Sequence, residues 1–222
     1  MDRIREIIRD GYDFDLKFIL KKAFEMMKKN TLLLSMYSSI YILFSFFCIT
    51  FGYWGFLLQA IMSGPFIAGY FSAFHKSENA MPFDLNDLLQ GLKNPIPYIS
   101  ITILTGILSS LGLWLFILPG IYLIIAYFFA IPFSIFKNLN TWESMEASRL
   151  TITKKLPNFT ALILILLVLN ILGAFLYGIG LIFTIPYTYA SIYVAFNSVF
   201  PEISSEAAHE VDDDKLDFTM FR

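Results

Sequence analysis

Long apolar stretches alternate with short charged ones along this chain. Three blocks, residues 31–74, 97–136 and 159–200, contain no Lys, Arg, Asp or Glu. A charge-free apolar run of about 18 residues or more is typical of a membrane-spanning helix. Each block is about twice as long as one helix needs, since a helix rises about 1.5 Å per residue and the hydrocarbon core of a bilayer is about 30 Å thick. The pattern therefore predicts two spans in each block.

Glycine and proline indicate where each block divides, because proline disfavours helix in the residue before it and glycine permits positive φ. The first block divides at Phe51–Gly55 and the third at Leu176–Gly180. In the middle block, Pro119 and Gly120 are compatible with a kink, a turn or part of a site, and the block's length favours the turn. Pro132 is expected to bend the end of the following span. The six predicted spans lie near residues 31–51, 56–74, 97–116, 119–136, 159–177 and 181–200.

A charged segment with amphipathic character precedes each predicted pair of spans. Asp84 is expected to cap the second of these segments, and Asn140 and Glu143 stand in capping-box spacing at the start of the third. Such helices lie in the membrane interface with lysines toward anionic headgroups. The first segment carries a predicted apolar stripe of Leu16, Leu20, Phe24 and Met27.

The predicted fold is an all-α integral membrane protein. Six transmembrane helices form three hairpins, and a cytoplasmic interfacial amphipathic helix precedes each hairpin. Residues 1–30 form the N-terminal segment, residues 31–200 a single membrane domain, and residues 201–222 an acidic cytoplasmic tail. The threefold pattern predicts an internal repeat whose units share one orientation, and coincidence among ordinary hairpins is the alternative.

Composition and charge placement add an orientation to this arrangement. Hydrophobic residues make up 57% of the chain and charged residues 15%, against about 45–50% and about 25% in ordinary globular domains. All 16 Lys and Arg fall on one side of the six predicted spans. By the positive-inside rule, both termini are predicted to be cytoplasmic. The first apolar stretch lacks a signal-peptide cleavage pattern, so we expect it to be retained as the first span.

Small residues recur at four-residue spacing on the second helix of each predicted hairpin. In lipid, small residues allow helix backbones to approach closely. The alternative is that glycine and alanine are simply common in membrane helices. Asn170, in the middle of the fifth predicted span, is expected to form an interhelical hydrogen bond. The small residues are Gly64, Ala68, Gly69, Ala73, Ala126, Ala130, Ser134, Ser191 and Ala195.

The sequence contains no recognisable catalytic constellation. The predicted spans have no ionisable Asp, Glu, Lys, Arg or His, although such groups mark ion pathways and substrate sites in membranes. No P-loop, GxGxxG or GxSxG motif is present. His75 and His209 have no neighbouring ligands in metal-site spacing. We therefore expect a protein that is not an enzyme, with no cofactor, no metal and no nucleic-acid partner.

Four stretches resemble a group of uncharacterised bacterial six-span inner-membrane proteins, which is related to the membrane domain of some glycerophosphodiester phosphodiesterases. The stretches are GPFIAGY, PFDLNDLLQGLKN, LFILPGIYL and WESMEASRLTITKKLPNF. In that group a Pro-Gly turn precedes a loop helix of the type "EA…S…LTKG", although the glycine after the lysine is missing here. The phosphodiesterase domain is also absent, so the resemblance implies a bacterial inner-membrane location and no enzymatic activity. Glu146, Ala147, Ser148, Leu150, Thr151 and Lys154 stand roughly at the motif positions.

Two functional hypotheses follow. The favoured one is a membrane scaffold or accessory subunit that binds lipid and a membrane-protein partner or a second copy of the chain. The alternative is a transporter, or a protein that handles lipids or hydrophobic compounds in an apolar cavity between hairpins. Under the first hypothesis, the acidic tail would dock on the partner through Leu216, Phe218, Met220 and Phe221.

Overall fold

The computed structural model describes residues 2–79, 81–175 and 178–201. Within these ranges the chain is all α-helical and has no strand. The tail residues Leu216, Phe218, Met220 and Phe221 lie outside the described residues. The helices are α1 (Asp2–Asp10), α2 (Leu16–Lys29), α3 (Thr31–Thr50), α4 (Gly52–Glu78), α5 (Leu85–Leu88), α6 (Gln90–Lys93), α7 (Ile96–Leu115), α8 (Ile117–Ala126), α9 (Ala130–Lys137), α10 (Thr141–Lys154), α11 (Leu156–Phe175) and α12 (Leu181–Val199).

Five helical segments of the described residues are long and apolar enough to cross a membrane. They are α3, α4, α7, the α8–α9 segment Ile117–Lys137, and α11. This composition is compatible with a multi-pass membrane protein. The predicted sixth span, α12, is not among the five, although it has 19 residues. Polar side chains lower its apolar character, namely Thr184, Tyr187, Thr188, Tyr189, Ser191, Tyr193 and Asn197.

The long helices divide into inner and outer ones. In α4 and the α8–α9 segment, 44% and 50% of the apolar window is buried, against 22%, 17% and 22% in α3, α7 and α11. Every residue of α12 from 190 to 196 is buried. It packs against α2, α3, α4 and α11, and its Phe196 contacts the rings of Phe129 and Phe133 edge-on. α12 thus has the longest buried run among the described helices, and three of its polar side chains bond other helices: Tyr187 the Leu20 carbonyl of α2, Thr188 the Asn170 side chain of α11, and Asn197 the Glu78 carboxylate of α4.

The connection between α7 and α8 differs from the predicted turn. The chain reverses at Phe116, whose φ of −154° and ψ of 136° are extended, while Pro119 and Gly120 lie within the first turn of α8. Proline is tolerated there because the first N–H groups of a helix have no intrahelical partner. Gly120 lies so close to the backbone of Leu113 and Gly112 that a Cβ would have no room. The Pro-Gly pair therefore starts the returning helix and lets it pack closely on the preceding one.

The small residues of α4 lie where other helices come closest. Gly64 faces the carbonyl oxygen of Tyr98 in α7, and Gly69 faces that of Leu88 in α5. On α11, Asn170 donates a hydrogen bond of 2.7 Å to the hydroxyl of Thr188 in α12. All nine small residues predicted at four-residue spacing are buried: Gly64, Ala68, Gly69, Ala73, Ala126, Ala130, Ser134, Ser191 and Ala195.

The charged segments pack against the long helices. The side chain of Asp84 caps α5, and Asn140 and Glu143 form a capping box at the start of α10. The buried face of α2 differs from the predicted stripe, since Phe24 is 51% exposed. The reason is that α2 lies against α12, where Tyr187 donates a 3.1 Å hydrogen bond to the Leu20 carbonyl. The buried residues of α2 are Ile19, Ala23, Met26 and Met27.

Candidate functional site: an apolar cavity beside a broken helix

A cavity of about 390 Å³ lies among α4, α7, the α8–α9 segment and α12. Ligand pockets in proteins typically have volumes of about 300–1,000 Å³. Apolar side chains from three of these elements form much of its wall, including Ile67 and Phe71 of α4, Ile101 of α7, and Ile124 and Ile131 of α8 and α9. The cavity therefore lies where inner and outer helices meet.

The polar atoms of the cavity wall are hydroxyl groups, and none of its lining residues is charged. On α7, Thr102 donates to the carbonyl of Tyr98 at 2.8 Å, and Thr105 donates to the carbonyl of Thr102 at 3.1 Å. These hydroxyls are thus already bonded within their own helix. Ser109 of α7, Tyr127 of the α8–α9 segment and Tyr189 of α12 supply the remaining lining hydroxyls. Such a wall suits an apolar molecule with at most a weakly polar end.

Gly106 leaves part of this wall without a side chain. It lines the cavity, and a Cβ placed on it would meet no atom within 4 Å. On a helix, residues at i, i+3, i+4 and i+7 share one face. Thr102, Thr105, Gly106 and Ser109 follow this spacing, so α7 presents a row of small or hydroxyl-bearing residues to the cavity, with Ile101 beside them. This spacing is the signal in the sequence that marks the α7 wall of the site, but it does not indicate which helices lie opposite.

The α8–α9 segment is broken beside the cavity. Residues 127–129 form a turn between the two helices, and Pro132 follows within α9. Because proline has no N–H and its ring clashes with the carbonyl of the preceding turn, a helix breaks or kinks just before it. Tyr127 and Phe128, which belong to the turn, both line the cavity.

The charged side chains of the described residues lie outside the cavity wall. Glu78, at the end of α4, forms an ion pair with Lys22 of α2 and accepts a 2.6 Å hydrogen bond from Asn197 of α12. Lys76 of α4 pairs with Asp87 of α5 at 2.5 Å. No group of three or more His, Cys, Asp or Glu that could hold a metal is found among the described residues.

Two groups on or beside α10 have pKa values that are shifted from their usual values. The hydrogen bond from Arg149 lowers the pKa of the Glu146 carboxyl below its usual value. Burial raises the pKa of the Tyr12 hydroxyl, which donates a 2.7 Å hydrogen bond to the Thr151 carbonyl. Glu146 belongs to α10 and Tyr12 is bonded to it, and neither residue lines the cavity, so both stabilise the charged segments rather than the site.

Comparison of the chain with protein-family models, with curated proteins and with solved structures found no match. The resemblance to membrane domains of glycerophosphodiester phosphodiesterases therefore stays a prediction. The cavity and its wall are the observations from which a function can be argued.

Proposed function

We propose that this protein binds an apolar molecule, such as the acyl chain of a lipid, in the cavity among α4, α7, the α8–α9 segment and α12. The observation that carries this proposal is the cavity itself. This space is a partly open pocket rather than an enclosed void, and its volume lies within the range of known ligand pockets. An apolar space of about 390 Å³ in a membrane-type helix bundle therefore has the size and chemistry of a binding site.

The chemistry of the wall favours a hydrophobic ligand over an ion. Moving an ion through a membrane protein requires charged or strongly polar groups along its path. The lining residues provide hydroxyls and aliphatic or aromatic groups instead. Burying a methylene group in such a site contributes about 0.8 kcal/mol. Lipid binding or uncoupled transfer of an apolar compound fits this wall.

Filling the cavity from Gly106 tests the proposal. The probe is a palmitic acid that carries a photoreactive diazirine, added below saturation to the purified full-length chain. Gly106→Leu places its side chain in open space on α7, so the fold should be retained. The added side chain displaces about two methylene groups of ligand, so photolabelling should fall about tenfold.

Ser110→Leu is the matched control. Ser110 is exposed on the same helix and does not line the cavity, so this variant should label as the parent protein does. Equal labelling of parent, Gly106→Leu and Ser110→Leu would show that the probe binds the outer surface, and would contradict the proposal.

The proposal includes six membrane-spanning helices, with α12 as the sixth and both termini cytoplasmic in a bacterial inner membrane. Support comes from the dimensions of α12, whose 19 residues extend about 28 Å at the usual helical rise. Further support comes from the burial of α12 among helices that are long and apolar enough to cross a membrane. An inner helix of this kind can carry polar groups that a lipid-facing helix cannot. The placement of Lys and Arg on one side supports the orientation.

A scaffold or accessory subunit is the second candidate, and exposed aromatic residues on charged helices favour it. Phe18 and Phe24 of α2 are each 51% exposed, and Trp142 of α10 is 64% exposed. Aromatic residues of this kind are enriched at interfaces with membranes and proteins. Affinity purification in mild detergent tests this role. Co-purification of a partner that is lost with residues 201–222 or with Trp142→Ser supports it, and a lone monomer in every case contradicts it.

A further inference from the structure

The break between α8 and α9 leaves backbone groups that a continuous helix would pair. In a regular helix the N–H of Phe129 would bond the carbonyl of Ile125, and the N–H of Ala130 that of Ala126. Here the N–H of Ala130 donates to the carbonyl of Tyr127 at 3.0 Å instead, and the N–H of Phe128 donates to the carbonyl of Ile125 at 3.3 Å. The carbonyl of Ala126 and the N–H of Phe129 are thereby released.

Ser148 of α10 satisfies both released groups with one hydroxyl. Its Oγ donates to the carbonyl oxygen of Ala126 at 2.6 Å and accepts from the N–H of Phe129 at 3.0 Å. The side chain is fully buried, so no solvent can replace it. A buried backbone group without a partner is costly, and this hydroxyl therefore stabilises the broken form of the segment over a continuous helix.

The residues between these two hydrogen bonds belong to the cavity wall. Tyr127 and Phe128 both line the cavity. A continuous helix would rotate these two side chains and shift the wall, because helical residues turn by about 100° per position. The hydroxyl of Ser148 lies outside the cavity, yet it determines which side chains form this wall.

α10 is anchored independently of this contact. Thr153 and Tyr122 share a 2.8 Å hydrogen bond that joins α10 to α8. The hydroxyl of Tyr12, in the N-terminal segment, bonds the Thr151 carbonyl of α10 at 2.7 Å. These contacts fix α10 against α8 and the N-terminal segment, so the Ser148 hydroxyl is held at the break.

We infer that Ser148 is a positioning residue for the cavity, and that the charged helix α10 thereby controls the shape of the apolar site. Its consequence for ligand binding rests on the function proposed above. Its consequence for the shape of the wall does not, and can be measured without a ligand.

The experiment measures cavity access by cysteine labelling in the full-length protein. Thr105→Cys, in a Cys48→Ala background, places a thiol in the cavity wall. Ser148→Ala should change the rate of its reaction with N-ethylmaleimide by about tenfold, the effect of losing the partner of a buried backbone group. Ser144→Ala is the control, because Ser144 is equally buried in α10 but bonds the Leu139 carbonyl away from the break.

A second pair keeps the test decisive if Ser148→Ala folds poorly. Ser148→Thr and Ser148→Val have nearly the same shape and differ in the hydroxyl, so labelling by N-ethylmaleimide should be parent-like only in the threonine variant. The inference is overturned if Ser148→Ala reacts with N-ethylmaleimide as fast as Ser144→Ala, and Ser148→Val as fast as Ser148→Thr. The diazirine palmitic acid is tested on the same variants. Failure of the parent protein to take up this probe counts against the proposed function alone, since the maleimide comparison still decides the role of Ser148.

Discussion

Glu78 joins three helices through one carboxylate. It pairs with Lys22 of α2 and accepts a hydrogen bond from Asn197 of α12, while its own helix is α4. Its side chain is 19% exposed. A charged group shielded to this degree is stabilised by its partners rather than by water, so it holds the charged segment α2 onto the inner helices.

Glu78→Gln should lower the free energy of unfolding by about 1–2 kcal/mol, because the charge-assisted hydrogen bonds become neutral ones. Thermal unfolding in detergent measures the loss. A double-mutant cycle with Lys22→Met should show that the two effects are coupled. Glu25→Gln is the control, since Glu25 is exposed on α2 and has no ion pair in the described part of the chain. Equal melting temperatures for the two glutamine variants would contradict this role.

Residue-level predictions from sequence succeed where the partner is implied by local spacing. The capping box of Asn140 and Glu143 is confirmed, because both partners lie within one helical turn. The role of Ser148 could not be predicted in this way. Its partners are backbone atoms of residues 126 and 129, which become available only because the helix is broken ahead of Pro132.

Three glycines occupy equivalent places in the three pairs of long helices. Gly55 faces the backbone of Cys48, Gly120 that of Leu113, and Gly180 that of Gly173, so each contact joins residues at the same separation in sequence. In every case a Cβ on the glycine would meet backbone atoms of the preceding helix. This recurrence adds a structural argument for the predicted threefold repeat, which stays a prediction.

Alanine at these three glycines should destabilise the protein by about 1–3 kcal/mol each, because the added methyl group forces two helix backbones apart. Gly106→Ala is the internal control. Its Cβ meets open space, so the change should be neutral or stabilise by up to about 1 kcal/mol. Chemical denaturation in detergent measures both effects. The prediction would be contradicted if the free energy of unfolding were the same in Gly106→Ala as in the three variants Gly55→Ala, Gly120→Ala and Gly180→Ala.

At the element scale, composition located the turns only approximately. The length of the charge-free stretch 97–136 indicated that it contains two helices. It did not indicate that the chain reverses direction at Phe116. The reason is that Pro119 and Gly120 are compatible both with a turn and with the first turn of a helix. Which of the two occurs depends on the contact of Gly120 with Leu113, a tertiary feature.

At the scale of the whole molecule, inner and outer helices have different compositions. α3, α7 and α11 expose apolar side chains widely, whereas α4, the α8–α9 segment and α12 carry the small and polar residues of the interior. For this reason α12 is not among the five segments that are apolar enough to cross a membrane, although all its residues from 190 to 196 are buried. The small and hydroxyl-bearing face of α7 is visible in the sequence, but the cavity could not be predicted from that face alone. It depends on how four elements meet rather than on any one pattern.

The number of spans decides on which sides of the membrane the two termini lie. If α12 crosses along with the five other segments, the N- and C-termini lie on the same side. If α12 does not cross, they lie on opposite sides. We expect reporter fusions after residue 222 and before residue 1 to report the cytoplasm in both cases. A periplasmic C-terminus with a cytoplasmic N-terminus would contradict the six-span arrangement.

The most direct measurement for the central proposal is to map the residues labelled by the diazirine palmitic acid. After photolysis in membranes, tandem mass spectrometry of the digested protein identifies the modified positions. We predict that modifications concentrate in residues 101–109, 124–131 and 189–192, and that Gly106→Leu lowers their yield about tenfold. Modifications spread over the outward faces of α3 and α11, at equal yield in the parent protein and in Gly106→Leu, would contradict a ligand-binding cavity.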